Sequence, residues 1–166
     1  MSKYRLDSRS LSQFKRHIRE CSILEHKLMV DYVKWLNGKN KGLYTFRDNG
    51  VDNSGNFIEN ESQVSSEADF LLLKNDKNPK KIEIKHCKPL RDCFHLKINH
   101  IDKCIKDDIC IINWMGLDLS NPSFCILTPK ILQEYKDKSP ISIFWSKKCI
   151  KFLCTDFNWI YPNESI

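Results

Sequence analysis

The sequence holds no apolar stretch long enough to cross a bilayer. Its longest, residues 109–117, falls well short of the roughly 20 residues a spanning helix needs. No apolar run follows the basic residues of the first twenty positions, so neither a secretory signal nor a transit peptide is expected there. The expected location is therefore the cytosol of the cell that makes the protein. Eight cysteines are present, yet no two stand in a C-x-x-C pair. That absence removes the usual zinc and redox patterns, and most of the cysteines are expected to be small buried apolar residues in a reducing compartment. The cluster His86, Cys87, Cys93 and His95 has a spacing that fits no zinc site. Internal repeats and domain linkers are also missing. At 166 residues the chain suits one domain over residues 1–166.

What the sequence does contain is charge, at 29% of residues, with a mean hydropathy of −0.48. The formal net charge is +6, and its position matters more than its size. Between Lys74 and Lys106 ten lysines and arginines stand against four acids, so this one segment holds a surplus equal to that of the whole chain. A concentrated basic field suits a polyanion such as nucleic acid, and a solvated lysine-rich face is the plain alternative.

From Leu11 onward, Leu11, Phe14, Ile18, Cys21, Glu25, Leu28, Tyr32 and Leu36 recur at spacings of three and four, which predicts one face of a helix ended by Asn37-Gly38. Glu25 interrupts that apolar stripe. No cation lies three or four residues away, so an ordinary helical ion pair does not explain it. A strand is expected at 43–46, then a polar excursion over 48–66. Two short strands follow, 69–73 and 81–85, joined by turn-forming residues 74–79 as a β-hairpin. Asn99 is expected to cap a helix with Ile101 and Ile105, residues 109–115 to form a buried strand, and Thr128-Pro129 to open a helix to about Asp137. Residues 141–161 are expected to add one or two strands. This order predicts an α/β fold, a central mixed β-sheet flanked by helices. The catalytic core would span about 11–116, and 117–166 would complete the sheet or contact DNA.

A hairpin turning about Asp76 pairs residues whose numbers sum to 152, and Asp69 with Glu83 satisfies that sum. Their side chains then lie on one face at a separation one divalent ion can bridge. Lys85 shares the face, while Ile82 and Ile84 point into the core. Two close carboxylates repel unless a cation sits between them, and hard oxygen donors suit Mg²⁺. Such an ion activates water and stabilises charge on a phosphate, with lysine positioning or deprotonating the water. The other reading of the same spacing is a surface salt-bridge ladder.

Asp69, a turn, then Glu83-Ile84-Lys85 resembles the PD-(D/E)XK nuclease superfamily. Many members place a third acidic residue on their first helix, a position Glu25 matches. The segment 23–38 also resembles the opening helix of archaeal Holliday-junction resolvases and related small nucleases. The resemblance covers about the first two thirds of the chain, with Ala68 where the motif's proline usually stands. It implies a restriction-endonuclease-like core and an endodeoxyribonuclease with Mg²⁺, Mn²⁺ substituting. Glu25, Asp69, Glu83 and Lys85 would be catalytic, with Glu25, Asp69 and Glu83 as metal ligands. Homing or restriction-type cutting, junction resolution, and a phage or mobile-element origin all stay open. So do an RNA-directed nuclease and an inactive nucleic-acid-binding protein of the same fold.

Lys88, Arg91 and Lys97 are candidates for phosphate contacts, as is Trp145 with Lys147 and Lys148. Glu67 is read as a loop charge. Asp48, Asp52, Glu59 and Glu61 are read as solvated, with Asp48 or Asp52 the ones placed to approach the site. Cutting two antiparallel strands with one small site favours a symmetric homodimer or higher oligomer.

Overall fold

The computed structural model describes residues 10–39, 42–49, 67–144 and 146–162. Asp52, Glu59, Glu61 and Trp145 therefore lie outside the described residues. In chain order the elements are α1 (Leu11–Lys39), β1 (Tyr44–Asp48), β2 (Phe70–Lys74), β3 (Lys77–His86), β4 (Cys93–Lys97), α2 (Ile98–Lys106), β5 (Ile109–Met115), β6 (Ser123–Leu127), α3 (Pro129–Lys138), β7 (Ile141–Phe144) and β8 (Lys147–Leu153). A 3₁₀ turn, Cys154–Asp156, follows.

Helix α1 starts on a reciprocal cap. The Gln13 N–H donates to Ser10 Oγ at 3.3 Å, and Gln13 Oε1 accepts from the Ser10 N–H at 2.8 Å. Of the predicted stripe only Leu28, Tyr32 and Leu36 are buried, joined by Met29 and Val33. The reason is length: 29 residues make a rod about 43 Å long, more than strands of five to ten residues can cover. The N-terminal turns overhang the sheet, and Leu11 is exposed. Asn37 has a second task at the other end. Its side chain takes the Tyr44 N–H at 2.7 Å and donates to the Tyr44 carbonyl at 3.0 Å, which ties β1 to the helix.

The main sheet is mixed, in the order β1-β2-β3-β5-β6, with β3 and β5 parallel and the other pairs antiparallel. The hairpin register is the predicted one, with Phe70 facing Ile82, Leu71 facing Lys81 and Leu72 facing Lys80. It arises differently, however. The tight turn is at Asn75-Asp76, both at positive φ, and a one-residue bulge that includes Asn78 at φ 51° restores the sum. The hairpin also reaches the middle of the sheet. The chain leaves β3, crosses through β4 and α2, and returns as β5 on its far side, so β3 is the central strand.

Three further differences follow from tertiary pairing. Helix α2 begins at Ile98 directly after β4, so Lys97 rather than Asn99 holds the cap position, with no side-chain cap bond. Strand β6 completes the main sheet, whereas β7 and β8 join β4 in a second, antiparallel sheet ordered β4-β8-β7. Short segments such as Cys93–Lys97 and Ser123–Leu127 carry too little periodicity to read as strands alone. Helix α3 matches its prediction, with Thr128 Oγ1 accepting the Ile131 N–H at 3.3 Å.

Two apolar clusters cover the two faces of the main sheet. Phe70, Leu72, Ile82, Ile84, Ile112 and Trp114 pack against α1. Ile109, Ile111, Cys125 and Leu127 pack with Ile101 and Cys104 of α2, Leu132 of α3, and Leu96, Ile150 and Phe152 of the small sheet. Because Ile82 and Ile84 point to α1, strand alternation sends Glu83 and Lys85 toward α2. All eight cysteines are free, three of them buried and five partly so.

Candidate metal centre

Glu83 lies on the central strand, its side chain 8% exposed. One oxygen, Oε1, accepts from Lys85 Nζ at 2.7 Å and lies 3.4 Å from His100 Nε2. The other, Oε2, is buried and has no hydrogen-bond partner among the described residues. A buried carboxylate oxygen left unpaired costs on the order of 1–3 kcal/mol or more, so the position calls for a proton or a cation.

Asp69 stands one residue before β2. Its Oδ2 accepts the backbone N–H of Ile84 at 3.0 Å, which locks it against the strand that carries Glu83 and Lys85. Burial raises its carboxyl to about 6, helped by repulsion from Glu83 and opposed by Lys85, the Ile84 N–H and Lys103. Burial would also raise Glu83. The Lys85 ammonium, His100 and the hydrogen bond from Lys85 outweigh it and hold Glu83 below its ordinary range. Burial would lower Lys85, and Glu83, followed by Asp69 and Glu25, keeps it above its usual value. Lys85 therefore holds its proton at neutral pH.

Glu25 approaches from α1. Its Oε1 lies 3.7 Å from His86 Nε2. Burial, then repulsion from Asp69, raises its carboxyl to about 7, with Lys85 opposing and Glu83 adding. The fold thus brings Asp69, Glu83 and Lys85 together and sets Glu25 within electrostatic reach of them.

No family model, curated protein or solved structure matches this chain.

Beside Glu83 also stand two residues with no place among the sequence-predicted ligands. His100 and Cys104 are four apart on α2, which places them on one helix face with His100 Nε2 3.7 Å from Cys104 Sγ. One ligand atom each from Glu83, His100 and Cys104 lies within 4.8 Å of the others, so the three can hold a metal ion. This is the one such group among the described residues. Burial keeps His100 below its ordinary pKa against the pull of Glu83, which leaves its ring neutral and able to ligate. Burial, with Glu83 next, pushes the Cys104 thiol up to about 12, so a metal would have to displace its proton. The H-x-x-x-C spacing was the available signal. It carried little weight without the knowledge that α2 packs across Glu83.

His86, Cys87, Cys93 and His95 do not form a metal site. His86 turns to Glu25, and His95 stacks on Phe144 at 4.3 Å. Lys88 and Arg91 are exposed in the loop after β3, and Lys97 is exposed at the end of β4. The charges of Lys88 and Lys97 reach His86 and His100 respectively. Lys103 of α2 was not foreseen. Its charge acts on Asp69, Glu83 and His100, and its Nζ donates to the Glu67 carbonyl at 3.4 Å. Glu67 itself is exposed, as is Asp48 at the end of β1.

Proposed function

We propose that the chain is a metal-dependent endonuclease of the PD-(D/E)XK type that hydrolyses DNA phosphodiester bonds. The observation that carries this is the unpaired, buried Oε2 of Glu83, on a carboxylate whose other oxygen takes the Lys85 ammonium and whose charge is felt by the fixed carboxylate of Asp69. Asp69 and Glu83 would hold Mg²⁺, with Mn²⁺ substituting and Glu25 as the third acidic group. When bound, the ion lowers the pKa of a water and neutralises charge on the phosphate under attack.

The protein's own part follows from its protonation states. Lys85 keeps its proton, so it orients the water and a phosphate oxygen by donating from Nζ rather than by acting as a base. Asp69 cannot swing away, because the Ile84 N–H fixes one of its oxygens. Ile82 and Ile84 anchor the strand from beneath. A symmetric homodimer would present two such sites to two antiparallel strands, and analytical ultracentrifugation alone and on DNA tests it.

His100 and Cys104 favour a second reading of the same centre. With Glu83 they make an O, N, S donor set that suits Zn²⁺ or another borderline transition metal better than Mg²⁺.

The deciding experiment incubates the protein with plasmid DNA, branched DNA and RNA. Each is run with Mg²⁺, Mn²⁺, Zn²⁺ or EDTA, beside Lys85→Ala. Metal-dependent cleavage of DNA that the variant loses is the expected result. Preferential cleavage of RNA would redirect the substrate, and binding without cleavage under every condition would overturn the enzymatic reading.

A further inference from the structure

The small sheet has one face in the second apolar cluster, through Phe94, Leu96, Ile150 and Phe152. By alternation its other face presents His95 and Lys97 from β4, Phe144 from β7, and Lys147 and Lys151 from β8. The three lysines are exposed, and no outward position on these strands is acidic. The nearest acids in the chain, Asp92 and Asp156, lie at the far end, beyond Cys93 and Leu153. Asp156 there accepts the Tyr135 hydroxyl at 2.6 Å.

This face is curled. His95 pairs with Lys151 and Phe144 with Lys147, which in a flat sheet would separate the two rings by about 15 Å. They instead stack at 4.3 Å and 2°. The Phe144 end of β7 therefore reaches back over the outer face to His95, and Cys149 on that face is buried at 3% exposure. The result is a cationic surface with a ring pair across it.

Lys97 links this face to the candidate metal centre along the chain: it ends β4 and leads without a loop into α2, which carries His100 beside Glu83.

We infer that the outer face of the β4-β8-β7 sheet is a second nucleic-acid contact, on which Lys97, Lys147 and Lys151 hold the phosphate backbone of a DNA duplex that enters the metal centre. This rests on the nuclease reading for its substrate class. Charge complementarity selects the partner: three exposed lysines on a strand face with no acid among its outward positions fit a phosphate backbone, which such side chains position without reading sequence.

The test is fluorescence anisotropy of the full chain with a 30-base-pair duplex in EDTA, across a KCl series, so that neither metal nor catalysis enters. Each phosphate that a deleted lysine leaves unneutralised lowers the slope of log affinity against log salt by about 0.9. Lys147→Ala with Lys151→Ala is expected to weaken binding about tenfold at 100 mM KCl and to lower the slope by about 2. Lys27→Ala with Lys34→Ala removes the same charge from α1 and is expected to leave the slope unchanged. Circular dichroism and thermal melting of both pairs establish that they fold. Equal loss in the two pairs, or none in the first, overturns the inference, as does binding to polyglutamate but not to DNA. Hydrolysis of bis(p-nitrophenyl) phosphate, followed separately, reports on the metal centre. Slope changes without hydrolysis leave this face standing and remove the nuclease reading. Hydrolysis with lysine-independent binding does the reverse.

Discussion

The carboxylate of Asp69 accepts the backbone N–H of Ile84 at 3.0 Å, across a strand boundary that the residue itself does not enter. This bond explains how a group ahead of β2 is fixed beside Glu83. It also allows the charge of Asp69 to be removed without disturbing its position.

Asp69→Asn keeps an oxygen acceptor for that N–H. The variant is expected to fold, with a melting temperature at pH 8 equal to or above the parent's, because a repelled buried charge is gone. Cleavage is expected to fall at least about a hundredfold, the loss of more than about 2.7 kcal/mol of transition-state stabilisation. Plasmid nicking and differential scanning calorimetry on the same preparation measure both. Retained cleavage would remove Asp69 from the metal ligands.

Glu25 sets a pH dependence whose sign is fixed by its raised carboxyl. Its folded value of about 7 lies above the ordinary 4.5, so its contribution to stability is fully present below about 4.5 and lost as pH rises through 7. Glu25→Gln mimics the protonated form. Relative to that variant, the parent in EDTA is expected to lose on the order of 2–3 kcal/mol between pH 4.5 and pH 8.5. Urea unfolding of both proteins in a His86→Ala background, which removes the imidazole 3.7 Å from Glu25, isolates the effect across that range. A pH-independent difference would show that Glu25 is not raised.

The two candidate donor sets around Glu83 are expected to separate by metal. Mg²⁺ or Mn²⁺ at pH 8 is expected to raise the melting temperature of the parent and of His100→Ala, but not of Glu83→Gln. Zn²⁺ is expected to stabilise only the parent, because it draws on the His100 nitrogen and the Cys104 sulfur. If His100→Ala abolishes the Mg²⁺ response as well, the carboxylate pair is not a separate site.

Asn37 binds both backbone groups of Tyr44. Asn37→Ala leaves two part-buried backbone groups without partners, and a loss of roughly 1–3 kcal/mol is expected by urea titration. No change would mean that water replaces the amide at both atoms.

Much of the fold was legible because its cause is local. The hairpin was readable because turn residues sit between two apolar runs, and α3 because Thr128-Pro129 carries both a cap and a fixed φ. Glu25 was legible as an anomaly, an acid on an apolar stripe. Cys93–Lys97 and Ser123–Leu127 were not, since five residues become strands by acquiring partners far along the chain.

The sequence by itself determined the hairpin register that sets Phe70 against Ile82 and leaves Asp69 near Glu83, since side-chain alternation and turn chemistry act within twenty residues. It also placed Lys85 on the face of Glu83 and Ile82 and Ile84 in the core. Only the tertiary structure decided that β3 is central rather than at an edge, and that α2 lays His100, Lys103 and Cys104 across it. Those outcomes depend on which strand a returning chain pairs with. That choice is made by burying two faces of one sheet at once, and no local spacing records it.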